Sequence, residues 1–305
     1  MALPNKCPLC FASSAEQFVV SRHVYGDSTG SRAFFHCRAC DVRYQYPGLN
    51  AEEEAKFYAN EFEGFMNNRT GNTKDWLEIE RHLEFNESTR LRRMQYLAPY
   101  LNKSSNILEI GCSSGFMLYP LIKDGHKCTG IEPSNIFSKY LSTRSIPVFP
   151  DINELRANKP EQKFDLILHF FVLEHISDPR SFLKEQMAML NAGGRIIFEI
   201  PNASDALFTV YDIPAFERFY WSIAHPWYFN PQSIKFLLDD MKFPYELLFD
   251  QRYDLSNHMV WARDGKQGGM GKFTSLLGKD IENLYKQSLI KSGHCDTMVG
   301  VITKF

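Results

Sequence analysis

The sequence predicts an α/β protein built on a Rossmann-like parallel sheet, preceded by a small cysteine-rich segment and a helical connector. From residue 106 onward, apolar runs of strand length alternate with helical patterns, which is typical of parallel sheets with right-handed crossovers. Two Cys-x-x-Cys pairs occupy the amino-terminal part, and the stretch after them is charged and helical in pattern. We therefore divide the chain into residues 1–45, 46–105 and 106–305, with an aromatic insert at about 201–230.

The cysteine pairs are two short knuckles that can each place two thiolates on one metal ion. They are separated by 26 residues and consist of Cys7, Cys10, Cys37 and Cys40. Four thiolates complete a closed tetrahedral Zn²⁺ site, and such a site stabilises a short segment that has little core of its own. We predict a zinc ribbon with a structural metal; replacement of one ligand by His36 is the alternative.

The connector is predicted to contain two helices, at 51–60 and 75–100. The stretch 62–69 between them is predicted as an aromatic and polar loop, and a lid over the site that follows is one use for it. The three arginines at 90, 92 and 93 are interpreted as a solvated helix face, as charged helix positions usually are.

The remaining chain yields an ordered set of elements. Strands are predicted at 107–110, 127–131, 147–150, 164–169, 195–200, 245–249 and 298–303, with 257–263 as a further candidate. Helices are predicted at 116–123, 135–144, 179–190, 232–242 and 280–292, and a turn at 191–194.

The stretch Ile107–Gly115 (ILEIGCSSG) reads as a buried strand that runs into a Gly-x-x-x-Gly turn at the start of a helix. Ligands of open α/β sheets bind at such strand ends. Gly111 permits a sharp turn, and Gly115 permits close packing of the following helix. Glu109 argues against a phosphate ligand, because like charges repel, and suits a ligand with a cationic or donating part.

Acids stand at the ends of three successive predicted strands: Glu109, Glu132 and Asp151. In a parallel sheet these ends share one edge. Glu132 follows Gly115 by 17 residues, close to the spacing at which an acid binds ribose hydroxyls. Asp151 can accept from an adenine amino group, with Ile152 beside the ring. The pattern indicates recognition of a nucleoside without phosphates.

Four motifs in order, ILEIGCSSG, GIEPS, FDLILHFFVLEHISDP and LNAGGRIIFEIP, resemble those of the class I S-adenosylmethionine (SAM)-dependent methyltransferases. The resemblance covers residues 107 to about 201 and implies a seven-stranded sheet whose last strand is antiparallel. It implies that the methionine part and the ribose of SAM are lined by Glu109, Gly111, Cys112, Gly115, Glu132 and Pro133. It also implies that Asp151 and Ile152 face the adenine, and that His169 and Phe170 lie near the sulfonium.

A zinc ribbon ahead of this core resembles the sugar methyltransferases of deoxysugar, antibiotic and surface-polysaccharide pathways. The resemblance implies a small, nucleotide-linked sugar or polysaccharide precursor as acceptor, methylated on oxygen, nitrogen or carbon. SAM and a structural Zn²⁺ are the implied cofactors.

Two histidines are the catalytic candidates, because imidazole can remove the proton of the acceptor. His175 follows the fourth strand of the core. His225 lies in the aromatic insert, which the family resemblance implies is substrate-binding. A helix start at His175 and a packed loop at His225 are the structural alternatives. A related Glu-x-x-Glu-His pattern binds a metal in some small-RNA methyltransferases; Phe171 fills its first position here, so no metal is predicted.

Composition limits the other possibilities. The net charge of −2 gives no general support for nucleic-acid binding, and no run of about 18 apolar residues predicts a membrane span. The amino terminus lacks a signal-peptide pattern, and the odd count of 7 cysteines argues against a disulfide framework, so a cytoplasmic setting is expected. Two alternatives stay open: a ribosomal-RNA methyltransferase whose ribbon docks RNA, and a non-catalytic interaction protein.

Overall fold

The computed structural model describes residues 3–50, 52–53, 57, 62–69 and 78–305. Its centre is a seven-stranded sheet in the order β10-β11-β8-β7-β4-β5-β6. The strands are β4 (Asn106–Ile110), β5 (Lys127–Ile131), β6 (Val148–Phe149), β7 (Phe164–Phe170), β8 (Leu190–Pro201), β10 (Tyr245–Asp250) and β11 (Thr297–Thr303). The pairs from β6 to β8 are parallel, and β11 pairs antiparallel with both β8 and β10. The predicted fold class, with its antiparallel last strand, is confirmed.

Helices cover both faces of this sheet. They are α1 (Phe62–Arg69), α2 (Ile79–Leu97), α3 (Leu118–Lys123), α4 (Asn135–Thr143), α5 (Ile152–Asn158), α6 (Pro179–Met189), α7 (Ala206–Thr209), α8 (Pro214–Tyr220), α9 (Pro231–Met241), α10 (Leu255–Asp264), α11 (Thr274–Leu277) and α12 (Lys279–Ser292). Within β4, Leu108 and Ile110 join one core cluster and Ile107 joins the other, as the strand period of two requires. No helix among the described residues is long and apolar enough to cross a membrane.

The amino-terminal segment forms a second sheet of β1 (Gln17–Ser21), β2 (Ala33–Cys37) and β3 (Arg43–Tyr46). Its fourth strand is β9 (Trp227–Tyr228), which comes from the aromatic insert and pairs antiparallel with β3. The ribbon is therefore joined by backbone hydrogen bonds to a part of the chain that lies about 180 residues later.

Three local predictions were wrong. The candidate strand at 257–263 is part of helix α10, which begins with Asp254 capping the amide of Asn257. The predicted loop at 62–69 is helix α1. The predicted turn at 191–194 belongs to β8, where the ladder to β7 shifts register. Most of the predicted helix at 51–60, and the start of the one at 75–100, lie outside the described residues.

Candidate active site and cysteine cluster

The loop after β4 is held in a left-handed backbone conformation at both of its glycines. Gly111 has a φ of 73° and Gly115 a φ of 72°, values that side chains other than glycine rarely adopt. A Cβ at Gly115 would lie 2.5 Å from Cδ2 of Leu141. Both glycines are thus required by conformation, and Gly115 also by the close approach of α4.

Glu132 lies at the end of β5 and holds this loop from the neighbouring strand. Its two carboxylate oxygens accept from the amide of Ser113 at 2.7 Å and from that of Ser134 at 2.8 Å. The carboxylate is buried, and burial raises its pKa against the opposing effect of these amides. Cys112 is buried beside it, with its Sγ close to Gly130.

Glu109 is buried in the same region, and its Oε2 has no hydrogen-bond partner among the residues that the structure describes. Burial raises the pKa of its carboxyl to about 8, which the charge of Arg93 partly offsets and that of Glu132 reinforces. A cationic ligand group beside Glu109 would satisfy that oxygen and favour the charged form.

The residues after β6 lie at the sheet edge. Asp151 is exposed and caps α5, because its side chain accepts from the amide of Glu154. Ile152 is half-buried behind it, and Pro133 is exposed at the neighbouring strand end. The structure therefore brings the ends of β4, β5 and β6 to one edge, as the sequence predicted.

His169 and Phe170 lie on opposite faces of the sheet, as neighbours in a strand must. The ring of His169 is fully buried between Phe182 and Phe198, with centroids 5.4 and 5.3 Å away. It pairs with Ile110 in the ladder, so its side chain lies on the face away from Glu109. Phe170 lies on the Glu109 face, with the guanidinium of Arg93 at 4.0 Å from its ring centroid.

Helix α2 supplies residues that the sequence reasoning did not place at the site. His82 contacts the loop through Ser114 Oγ at 2.9 Å and Ser113 Oγ at 3.3 Å. Arg92 and Arg93 were predicted on a solvated face, but both pair with the buried carboxylate of Glu199, at 2.5 and 2.8 Å. Arg93 lies one helical turn before the buried Leu97, which is a weak local signal and does not reveal its partner Glu199.

The four predicted metal-ligating cysteines meet in one cluster. Their sulfur atoms all lie within 4.8 Å of one another, with Cys7 3.8 Å from Cys40 and Cys10 3.5 Å from Cys37. Sulfurs placed tetrahedrally at about 2.3 Å from one ion are about 3.8 Å apart, so the donor set fits Zn²⁺. His36 instead contacts Asp41 at 2.5 Å and is outside the cluster.

The two candidate catalytic histidines are brought together. The rings of His175 and His225 are perpendicular, with centroids 4.6 Å apart, and both are partly exposed. Nδ1 of His175 contacts the carbonyl of Ala224 at 2.7 Å. Burial among protein atoms lowers the pKa of His175 to about 4 and that of His225 well below its ordinary value, so both imidazoles are neutral at pH 7.

A cavity of about 200 Å³ opens beside these histidines, between the ribbon and the insert. Its wall includes His175 from the core, Tyr44, Gln45 and Tyr46 from β3, and Trp227 from β9. The side-chain amide of Gln45 is buried, and neither its nitrogen nor its oxygen has a hydrogen-bond partner among the described residues. A buried amide of this kind is costly unless a ligand or water pairs with it, so it marks a polar contact point in the cavity.

Comparison with known families agrees with this geometry. A family model described as "Methyltransferase domain" matches residues 81–245, which is more than half of the chain. This chain belongs to the methyltransferase domain family. The matched residues contain strands β4 to β8 of the sheet and the glycine loop described above.

Two curated relatives are each similar to about a third of this chain. A ubiquinone biosynthesis O-methyltransferase of Coxiella burnetii is 25% identical over 116 residues, 36% of this chain and 50% of the relative. A tRNA U34 carboxymethyltransferase of Alteromonas mediterranea is 28% identical over 118 residues, 34% of this chain and 35% of the relative. The methyltransferase described here spans at most about half the length of these two relatives.

Solved structures share the fold at low identity. The plantazolicin methyltransferase BamL, in complex with a substrate analogue and SAH, aligns with a TM-score of 0.50 at 12% identity, covering 82% of this chain and 94% of that one. A SAM-dependent methyltransferase from Archaeoglobus fulgidus aligns with a TM-score of 0.48 at 17% identity, over 72% and 94% of the two chains.

Proposed function

We propose that this methyltransferase transfers the methyl group of SAM to a small, hydroxyl-bearing acceptor of the sugar class, nucleotide-linked or a polysaccharide precursor, bound in the cavity between ribbon and insert. The observation that carries the acceptor proposal is the unpaired, buried amide of Gln45 in a cavity walled by aromatic rings. Aromatic faces pack on the apolar faces of sugar rings, and an amide can both donate to and accept from their hydroxyls.

SAM is assigned to the edge formed by the ends of β4, β5 and β6. In this assignment Glu109 faces the cationic methionine part, next to Gly111, Cys112 and Gly115. Glu132 and Pro133 hold the ribose, and Asp151 and Ile152 flank the adenine; these three sets lie at one edge of the sheet. Phe170 shares the face of Glu109, whereas His169 would contribute only its backbone, because its ring lies in the opposite core.

His175 and His225 are assigned to the acceptor side. Methyl transfer from a sulfonium is an in-line substitution, so the protein mainly orients the nucleophile and handles its proton. The loop that carries His175 follows Val172, whose Cγ2 would lie 2.9 Å from a Cβ at Gly111. His175 is therefore close to the methionine end of the cofactor assignment and lines the acceptor cavity, and the ring of His225 lies beside it.

A structural Zn²⁺ is assigned to the cysteine cluster, because the sulfur spacing fits a closed tetrahedral site. In this assignment the ion holds the ribbon, and the ribbon in turn supplies Tyr44, Gln45 and Tyr46 to the cavity wall. The ribbon would thus be part of acceptor binding.

The test is a transfer assay with the full-length protein, SAM and a panel of nucleoside-diphosphate sugars, read by mass spectrometry as the addition of one methylene unit. We expect one sugar class to be methylated, and Gln45→Ala to raise its KM at least tenfold while kcat changes little. The matched control is Gln162→Ala. Gln162 lines a different cavity, at the amino-terminal ends of β4 and β5.

If ribosomal or transfer RNA were methylated and no sugar were, the acceptor would be a nucleic acid and not a sugar. The assay should include RNA because one relative is a tRNA U34 carboxymethyltransferase. Residues 1–45 carry five Lys and Arg against three Asp and Glu, which is only a weak excess of positive charge for RNA binding. SAM binding without transfer to either class would favour the non-catalytic alternative.

A further inference from the structure

We propose that Glu174, His175 and His225 form a second metal site, separate from the cysteine cluster, which binds a first-row divalent metal ion beside the acceptor cavity. One ligand atom from each of the three side chains lies within 4.8 Å of the other two. The role of this ion in catalysis rests on the proposed function, but its binding does not.

Glu174 provides the second, independent observation. It is 1% exposed, and neither of its carboxylate oxygens has a hydrogen-bond partner among the described residues. Leaving a carboxyl group buried and unpaired is costly, and a bound cation removes that cost. The positive charge of Arg252 acts on Glu174, but Arg252 pairs with the buried Asp296 at 3.2 Å.

The two imidazoles are arranged as metal ligands usually are. The contact of 2.7 Å between Nδ1 of His175 and the carbonyl of Ala224 fixes the tautomer in which Nε2 carries the lone pair. Nδ1 of His225 is buried and has no hydrogen-bond partner in the described structure.

Among the described residues, Arg69 is a cation whose charge acts on both histidines, and its guanidinium packs against Phe219. Its guanidinium lies 4.0 Å from the centroid of Phe219 and donates to the carbonyl of Phe219 at 3.3 Å. Its charge weakens the site, so we expect an affinity below that of the cysteine cluster.

The donor set defines the kind of ion. Two imidazoles and one carboxylate suit borderline ions such as Zn²⁺, Co²⁺ and Fe²⁺, and three protein ligands leave a position open, as in catalytic sites. His175 also lines the cavity, so the open position can reach an acceptor. An acceptor hydroxyl bound there would release its proton to solvent; its oxygen would form the new bond to the methyl carbon as the sulfur–carbon bond breaks, and S-adenosylhomocysteine would leave.

Sequence reasoning discarded this site because Phe171 occupies the first position of the pattern Glu-x-x-Glu-His. The structure brings in His225, 50 residues after His175, as the third ligand instead.

The experiment is a titration of zinc-loaded, full-length protein with Co²⁺, followed by visible absorption and by metal analysis after dialysis. We expect one Co²⁺ per chain, with weak bands of a nitrogen and oxygen site and no thiolate charge-transfer band. Glu174→Gln and His225→Gln should each weaken this binding at least tenfold. His23→Asn, an exposed histidine of the ribbon, should bind as the wild type does.

Three results would overturn the site: no bound Co²⁺, Co²⁺ with a thiolate band only, or equal binding by wild type and both ligand variants. Calorimetry with SAM on each variant separates loss of the site from loss of the fold. If methyl transfer persisted in a chelator that leaves zinc in the ribbon, the ion would have no role in catalysis, and the proposed function would remain intact.

Discussion

Tyr44 of the ribbon and Trp227 of the aromatic insert are partners in an antiparallel ladder. Trp227 follows His225 by two residues. Tyr44 donates to Gln17 at 2.9 Å, and Gln17 in turn contacts Cys37 Sγ at 3.4 Å. On its other side, Trp227 donates to the carbonyl of Ile176, next to His175, at 2.9 Å. A short series of contacts thus connects the cysteine cluster with both candidate catalytic histidines.

Loss of the zinc ligand in Cys37→Ser should therefore impair acceptor methylation more than SAM binding. We expect the zinc content to fall, transfer to drop at least tenfold, and the Kd of SAM to stay within about twofold, because the ends of β4 and β5 are not part of the ribbon. Metal analysis, an activity assay and calorimetry measure the three quantities.

The control is Cys128→Ala, which removes a buried thiol of β5 outside the cluster and should leave the zinc content unchanged. Full activity in zinc-free Cys37→Ser would show that the ribbon does not position His225.

Glu199→Gln should be strongly destabilising. The carboxylate is fully buried and pairs with both Arg92 and Arg93, so its neutralisation leaves the buried guanidinium of Arg93 without its carboxylate partner, whereas Arg92 keeps its pair with Asp250. Breaking a buried pair in this way costs roughly 3–5 kcal/mol. Burial alone would raise the pKa of Glu199, but Arg93 and Arg92 hold it below its ordinary value. The contribution is therefore present at neutral pH and is lost as pH falls through that lowered value.

Urea unfolding at pH 7 measures this cost, and Glu87→Gln is the matched control. Glu87 also pairs with an arginine, Arg90, at 2.6 Å, but on the helix surface. Exposed pairs contribute about 0–1 kcal/mol, so equal losses in the two variants would contradict the buried network.

Most strands of the sheet could be predicted from the sequence, because they are short apolar runs, and three of them are followed by the turn at Gly111, by Glu132 or by Asp151. β5 was predicted with the bounds that the structure has, and β11 was placed correctly as the antiparallel last strand. The loop with Gly111 and Gly115 was identified because only glycine tolerates both backbone conformations.

Tertiary contacts decided what the sequence could not. Residues 257–263 contain an apolar run of strand length, but the cap at Asp254 and packing against α12 make them helical. In α2, the apolar Leu91 is 54% exposed, whereas the charged Arg93 is buried. The partner that makes this favourable, Glu199, lies more than 100 residues away, and no local pattern reveals it. The pairing of Tyr44 with Trp227 is non-local in the same way.

Gly115→Ala should weaken SAM binding at least tenfold and also destabilise the fold. The new Cβ would meet Cδ2 of Leu141 at 2.5 Å, and Leu141 is fully buried, so it has no room to move aside. The left-handed backbone adds strain of about 1–2 kcal/mol. Calorimetry with SAM and urea unfolding give the two effects.

Gly125→Ala separates the two causes. Gly125 has a φ of 94°, but a Cβ there meets nothing within 4 Å. It should show the strain alone, with unchanged SAM affinity. If the two variants lost equal stability and both bound SAM normally, close packing at Gly115 would have no part in the cofactor site.

SAM binding should strengthen as pH rises from about 6 to 8. Burial raises the pKa of Glu109 to about 8 in the free protein, so the carboxyl is mostly protonated at pH 6. A cationic methionine part favours the charged form, and the affinity should therefore increase by up to about tenfold per pH unit until the carboxyl is ionised. The same shift makes the free protein less stable as pH rises from about 4.5 to 8, because the native state retains a proton that the unfolded chain releases.

Affinity is the better measurement, because burial also raises the pKa of Glu174 to about 8 and its titration would add to any stability profile. Calorimetry at several pH values, with wild type and Glu109→Gln side by side, isolates the contribution of one carboxyl, since any titration of SAM itself is common to both proteins. The difference between the two profiles should grow up to pH 8 and then level off. Parallel profiles would place the cationic part of SAM away from Glu109.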